Sequence, residues 1–405
     1  MENIDAHTET PNAAATAGNA ATATTDVAAS TMQNAMAGSS VSAAEAARAK
    51  KLSALNTSFY AEVAASFSET RQTKWPGWDI LADYLENANE TERIAATECA
   101  AGNASKLARE RAAAKGHAAE RPGRQASESP AFSVLDVACG NMRFEKYLQA
   151  RFPNWRLSFD AIDNCLPLAE DARQGSIDFY ERDVIGLLAD GSLALPPETA
   201  RCGCARRRAG NTGPADIDSP AGASQPHAGG SPAPLPRTAC DKPGYNLSVC
   251  FGFFHHIPLF EMRVSLLRQL IGALAMGGTC CVSLWRFLDD ARIAEKAQSS
   301  TERARSLGIV EPADLHAGDY LLGWKERDDV FRYCHHFDDA EISSLVKSVA
   351  DIADLALEYR ADGKTGSLNT YLVFTKRERD AKPPAAGAHT AKASFANAVR
   401  RKQRE

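Results

Sequence analysis

The run Val134 to Phe144, VLDVACGNMRF, limits the fold more than any other part of this chain. An apolar stretch with a single acid, Asp136, passes directly into Cys139-Gly140-Asn141 and then into a helical pattern at 143–151. A strand that turns into a helix over so few small residues leaves its backbone open to a ligand beside the helix N-terminus. The alternation continues downstream. Residues 133–138, 157–162, 177–183, 245–251 and 279–285 read as buried strands, with a helix over about 260–275. A helical stretch near 338–350 precedes two last strands at about 353–360 and 370–376. Strands alternating with helices predict an α/β, doubly wound, mostly parallel sheet of seven strands whose last pair is a hairpin. Ligands of such sheets lie at the carboxyl ends of the strands, beside the switch point of the strand order.

Much of the remaining length cannot join that core. Residues 1–47 are Ala, Thr, Ser and Asn with scattered acids, no Lys or Arg and few large apolar side chains. Burial there cannot offset the entropy lost on ordering, which predicts a disordered tail. Segments 87–130 and 190–243 read as insertions. The first is rich in Ala, Glu, Arg and Lys and expected to be partly helical; the second is a long Pro, Gly and Ala loop carrying Arg206-Arg207-Arg208. A basic tail, 379–405, is expected to be disordered as well. One domain over 48–378 remains, of which about 230 residues build the core, an ordinary size for one α/β domain.

The start of the chain lacks the basic and apolar pattern of a secretory leader, and no apolar run reaches the roughly 18–20 residues of a membrane span. A cytoplasmic protein with no membrane contact is expected. The ten cysteines read as reduced thiols, because Cys139, Cys250, Cys280 and Cys281 stand inside apolar runs. A formal net charge of -5 argues against a protein that coats nucleic acid, while the basic stretches leave a local contact open.

The ends of the expected strands hold the candidate chemistry. The 134–144 run resembles the first motif of class I S-adenosylmethionine-dependent methyltransferases, whose loop cradles the methionyl part of the cofactor. The resemblance implies S-adenosyl-L-methionine as cofactor, with contacts from Asp136, Ala138, Cys139, Gly140 and Asn141. Ala138 and Met142 stand where that family has glycines, so Met142 must point away from the cofactor. Asp163, followed by Asn164, ends the second strand where an acid grips the ribose hydroxyls; a helix N-cap is the other reading, and the two are compatible. Asp183, with Val184 behind it, matches the acid that meets the adenine amino group, or else caps the next turn. Phe251-Gly252-Phe253-Phe254-His255-His256 resembles the segment beside the methyl group, placing Phe251 and Gly252 with the cofactor and His255 near the chemistry. Paired histidines also suit a metal. No third ligand stands at a zinc-like spacing, however, and Cys202, Cys204 and Cys240 are oddly spaced in a low-complexity loop, so no metal is expected.

Two segments outside this core narrow the resemblance. Residues 60–76, YAEVAASFSETRQTKWP, are similar to YxxxAxxFxxTRxxxWP of the eukaryotic tRNA wobble-uridine carboxymethyl methyltransferases. Residues 319–341, DYLLGWKERDDVFRYCHHFDDAE, resemble that family's late apolar-Trp-Lys stretch, its RYYHLF and the acidic helix start after it, and Trp285 matches the Trp ending its fifth strand. Cys334 and His336 depart from the pattern, and the final strand pair lacks the family's tryptophans. The resemblance implies methyl esterification of a carboxymethyl group at uridine 34 of certain tRNAs, with a small helper protein as a possible further partner.

Such a transfer is an in-line displacement that brings the nucleophile within about 3–3.5 Å of the methyl carbon. A carboxylate is already ionised at neutral pH and needs no general base. Arg71 is the leading anchor for a carboxylate, or else a salt bridge holding the N-terminal helix over the sheet. Arg332, with Tyr333 and His335, is expected to form the second wall of the pocket, or a lid packed by Tyr333 and Phe337. Trp75, Trp285 and Trp324 suit stacking on a base or a place in the core. An RNA substrate would find phosphate contacts at Arg206 to Arg208 and at Arg400, Arg401, Lys402 and Arg404. Two rival readings stay open: a small-molecule O- or N-methyltransferase, and a non-catalytic cofactor-binding subunit of a partner protein.

Overall fold

In the computed structural model, which describes residues 41–89, 131–169, 177–195, 244–324 and 327–377, the central strands are buried on both faces. Strand β1 (Ala131–Val137) sends Val134 to one side and Leu135 and Val137 to the other, all three fully buried. The same division recurs at Val249 and Cys250 and at Cys280 and Cys281. Strands covered on both faces read as continuous apolar runs, which is why the sequence disclosed them.

The sheet adds β2 (Arg156–Asp163), β3 (Ile177–Glu181), β4 (Tyr245–Cys250), β5 (Leu274–Trp285), β8 (Ala353–Ala361) and β9 (Asn369–Lys376). Its order is β3-β2-β1-β4-β5-β9-β8, with β1 to β5 parallel and β9 antiparallel between β5 and β8. The order reverses between β1 and β4, the switch point at which such sheets bind ligands. One face is covered by α5 (Val184–Ala189), α6 (Phe260–Gly272) and α8 (Asp339–Ser348), the other by α2 (76–89) and α3 (Arg143–Arg151). A single turn, α4 (Leu166–Ala169), follows β2. The architecture is the doubly wound, mostly parallel seven-stranded sheet that the alternation predicts.

Helix α1 (Ala43–Glu69) starts inside the expected tail, because Ser42 and Glu45 form a reciprocal capping box at its N-terminus. Leu52, Phe59 and Val63 bury its inner face, each contributing roughly 1.5–3 kcal/mol. The partner of that face is a second, two-stranded sheet of β6 (Asp319–Trp324) and β7 (Arg327–His335), backed by α7 (Ala291–Ser306). No helix among the described residues is long and apolar enough to cross a membrane. The six described cysteines are free and buried. Most of the expected tails and insertions, with Arg206 to Arg208, Arg400, Arg401, Lys402, Arg404 and the Cys202, Cys204 and Cys240 group, lies outside the described residues.

Candidate active site

A cleft of about 1120 Å³, counting space continuous with solvent, runs along the carboxyl ends of β1 to β4. The turn after β1 forms its floor. Ala138 and Cys139 donate their N–H groups to Ile162 O at 2.7 and 3.1 Å, and Gly140 N donates to Asp163 Oδ2 at 2.8 Å. Ala138, Gly140 and Met142 all have left-handed backbones, with φ of +65°, +55° and +52°. Holding two residues with a Cβ there costs about 1–2 kcal/mol each, so the surroundings fix this turn against its local preference. Met142 is fully buried against Cys139 and Ala161 and does not line the cleft. A Cβ placed on Gly140 would meet nothing within 4 Å, so the space above the turn is open to a ligand.

Carboxyl groups line the β1–β3 side. Asp136 faces the cleft from β1 while almost wholly buried. Asp163 accepts from Gly140 N through one oxygen and from Cys165 N, at 2.8 Å, through the other. Asn164 N is a third backbone donor; burial raises the pKa against all three, and one of the four lone pairs is left for a ligand. Asp183 caps α5 by accepting from Gly186 N at 3.0 Å, and also lines the cleft, so capping and ligand contact coexist there. Asn141, Asn164, Val184, Phe251 and Gly252 complete this set of lining residues.

Guanidinium groups gather on the other side. Arg71, just past α1, lies 4.4 Å over the Phe67 ring and donates to Thr70 Oγ1. Arg143 donates to Asn141 Oδ1 and Thr73 O and lies about 5.5 Å from Trp75 and Trp78. Burial, and then Arg71 nearby, push its pKa down to about 10. Arg332 is buried behind Tyr60 with its Nε lacking any partner. Among the described residues, none of the three has a carboxylate at ion-pair distance. Asn56 adds an unpartnered buried Nδ2 in the same wall, its Oδ1 being taken by Tyr333 N at 2.7 Å. Arg332 is buried and Arg71 and Arg143 are half-buried, so the gathering of three cations with no acid lowers stability and favours an anion in the cleft.

The residues expected near the chemistry divide. Arg71 lines the cleft; His255, Arg332 and His335 do not. Arg332 Nη1 donates to Tyr60 Oη at 3.0 Å, and Tyr60 Oη lies 2.9 Å from His256 Nε2. His256 Nδ1 is 2.8 Å from Tyr333 O, which can only accept, so Nδ1 carries the proton and Nε2 accepts from Tyr60. Burial, then Arg332, hold the His256 pKa down at about 3, so this chain of bonds is neutral at the imidazole. His255 lies one layer deeper, against Trp285 and His256, with Nδ1 unpartnered. His335 is placed away from the cleft: its ring joins Asp319 at 2.7 Å and Glu341 at 2.6 Å, so both nitrogens serve a buried ion cluster. The expectation that His335 walls the pocket is corrected by that pairing, and the wall is made instead by Tyr60, Asn56 and His256. Trp75 lines the cleft, while Trp285 and Trp324 pack behind it.

The fold does bring a third ligand type to the paired histidines. Atoms of His255, His256 and Cys334 lie within 4.8 Å of one another. The His256 lone pair is already taken by Tyr60, burial pushes the Cys334 thiol up to about 12, and Arg332 adds a positive charge beside the group. That chemistry suits a neutral hydrogen-bonded cluster and disfavours a cation.

No protein-family model matches the sequence, and no curated protein does. Solved structures show a distant likeness. A methyltransferase from Methanosarcina mazei is 13% identical with a TM-score of 0.38, over 62% of this chain and 94% of its own. An O-methyltransferase family protein from Burkholderia thailandensis gives 12% and 0.33, over 62% of this chain and 52% of its own. The N-methyltransferase NodS from Bradyrhizobium japonicum, in complex with S-adenosyl-L-homocysteine, gives 11% and 0.31, over 61% and 79%. At identities and TM-scores this low, the site is read from its own residues.

Proposed function

We propose that this protein is an S-adenosylmethionine-dependent methyltransferase whose acceptor is a carboxylate. The observation that carries the reading is the division of charge along one cleft. Asp136, Asp163 and Asp183 line the side toward β3, where Arg182 donates to Ala194 O. The side of Phe67 and Trp75 carries the Arg71 and Arg143 guanidiniums, which have no carboxylate at ion-pair distance among the described residues. The first side fits a cofactor that has a ribose, an ammonium and a sulfonium; the open space over Gly140 gives it room. The second fits an anion. When bound, the cofactor would supply an electrophilic methyl group, and the residues of the chain bind, orient and desolvate the acceptor.

The titratable groups of the acceptor side point the same way. Tyr60 spends its proton on His256, His256 has no free lone pair, and Arg71 and Arg143 are cations. None of them can serve as a general base, which a hydroxyl or ammonium acceptor would require and a carboxylate does not. Arg71 and the Asn56 amide are the groups with donors to aim one carboxylate oxygen, while Arg332 acts through its charge and its hold on Tyr60. The cation–π contacts of Arg71 temper its pull, so an acceptor oxygen held there keeps its nucleophilicity.

The finer reading is a carboxymethylated wobble uridine of tRNA. It is supported by the likeness of residues 60–76 and 319–341 to that family, and by Trp75, an aromatic face in the cleft on which a base can stack. The test is incubation with methyl-labelled S-adenosylmethionine and separated tRNA and small-metabolite fractions. Label in tRNA that mild alkali releases is expected, as is its loss in Arg71→Met. Label confined to metabolites would discard tRNA and leave a small-molecule O- or N-methyltransferase. Cofactor binding with no label in any fraction would make the chain a non-catalytic subunit.

A further inference from the structure

We propose that Glu145 is a further residue of the cofactor site, and that with Asp136 it accommodates the cofactor's positive charge by releasing a proton the two carboxyls share. The inference rests on the methyltransferase reading above. Glu145 stands in the first turn of α3, beneath the 138–142 turn, and is wholly buried. Among the described residues, neither of its carboxyl oxygens receives a hydrogen bond from an N–H or O–H group. The Asp136 carboxyl, which lines the cleft from β1, lies close enough to act on its charge.

Two buried carboxyls with no outside donor are joined only if one of them carries a proton. The other groups facing the pair are Asp163 from the end of β2, Cys139 from the turn, Cys250 from β4, and Lys146 beside Glu145 on α3. Lys146 is the only cation among them, and it is exposed. Burial lifts Glu145 to about 7, and burial together with Glu145 lifts Asp136 well above the ordinary carboxylate range. The pair therefore keeps its shared proton at neutral pH. A cation entering the cleft beside Asp136 lowers a carboxyl pKa by roughly 1–3 units, and the proton leaves to solvent. The floor of the site thus carries its full negative charge only when the cofactor is there to balance it. An ordinary strand-end acid with solvent access would bind the same ligand without exchanging a proton.

Calorimetric titration of the full-length protein with S-adenosylmethionine at pH 7, in two buffers of different ionisation enthalpy, counts the protons. Roughly 0.5–1 proton released per cofactor bound is expected, and little or none in Glu145→Gln, which keeps an amide to bond Asp136 but cannot titrate. The cofactor's own amino group, near pKa 8 when free, would take a proton up, which is the opposite sign. Binding without proton release in the wild type overturns the proposal, as does undiminished release in Glu145→Gln. Should that variant fail to fold, a wild-type series from pH 5.5 to 8.5 decides on its own: release must peak around pH 7, and a flat profile overturns the idea. Absence of any cofactor binding is a different failure, that of the methyltransferase reading itself.

Discussion

Changing Glu341 to Gln removes one charge from the ion cluster that holds the hairpin of β6 and β7 against the main sheet. Glu341 bonds Arg263 through one oxygen and His335 Nε2, at 2.6 Å, through the other. His335 Nδ1 and Tyr333 Oη meet the same Asp319 oxygen at 2.7 and 2.6 Å. Burial would raise the Glu341 pKa, but Arg263 and His335 bring it to about 2 from an ordinary 4.5. At about 1.36 kcal/mol per pH unit, the ionised form contributes roughly 3 kcal/mol to folding.

The sign follows from a depressed acid. This contribution is complete above pH 4.5 and is lost as the pH falls toward 2. His335 behaves oppositely. Burial and Arg263 press its pKa down, but Glu341 and Asp319 outweigh them and the net shift is upward. Its contribution is complete below pH 6.5 and is lost as the pH rises through the folded value. Urea unfolding of the wild type and Glu341→Gln is expected to differ by about 3 kcal/mol at pH 6, and by less than half of that at pH 3. The decline of wild-type stability on the alkaline side is expected to begin at lower pH in the variant, since His335 has lost one of two carboxylates. Cofactor affinity should not change, because the cluster does not line the cleft. A gap that stays constant from pH 6 to pH 3 would refute the assigned charge states. A loss of cofactor affinity would refute the placement of His335 outside the site.

Arg71→Met is expected to lower kcat/KM for the carboxylate acceptor roughly 10- to 100-fold, the worth of one charged hydrogen bond, with the cofactor Kd unchanged. Equal losses in both would mean that Arg71 holds the cofactor. Gly252 has φ +68°, and a Cβ there would meet Trp75 at 3.0 Å, so Gly252→Ala is expected to displace the indole, alter its fluorescence and raise the acceptor KM. An unchanged KM would remove Trp75 from the acceptor wall. Ala138→Gly relieves a left-handed alanine at φ +65° and should stabilise the fold by about 1 kcal/mol, or about 2–4 °C in Tm. A lower Tm would show that the turn is not strained.

The strand ends were legible because their signal is local. Asp136, Asp163 and Asp183 each follow or sit in a short apolar run, and nothing beyond that run is needed to place them at one edge of a parallel sheet. Glu145 and Asn56 were not legible for the converse reason. Each occupies a helical position among ordinary helix formers, and only the packing of that helix decides whether the carboxyl or amide meets water or a buried neighbour. Arg143 stands two residues past Asn141, close enough to the turn to have been suspected. His335 was misplaced because its role depends on register: β6 pairs Asp319 directly with it, and Glu341 comes back six residues later from α8. A hairpin packed outside the main sheet leaves no trace in the strand–helix alternation that revealed the rest.

The two segments that resemble one family, 60–76 and 319–341, lie far apart in the chain and meet in the fold. Tyr333 N bonds Asn56, Arg332 bonds Tyr60, and Trp324 Nε1 bonds Ser66 Oγ at 3.0 Å, so α1 is tied along its length to β6 and β7. Every one of those ties ends at or beside a residue of the acceptor wall, and none reaches Asp136, Asp163 or Asp183. The three acids therefore stand on the sheet, and the acceptor side is built by the contact of α1 with the hairpin; α1 reaches the cofactor side at Asn141, whose Nδ2 donates to Ser68 Oγ and Arg71 O. Substitutions confined to that contact, such as Asn56→Ala or Tyr60→Phe, should shift acceptor kinetics while cofactor affinity holds. Cofactor affinity that fell in step with acceptor turnover would mean the two sides share one support, and the division of the cleft into separate binding walls would have to be given up.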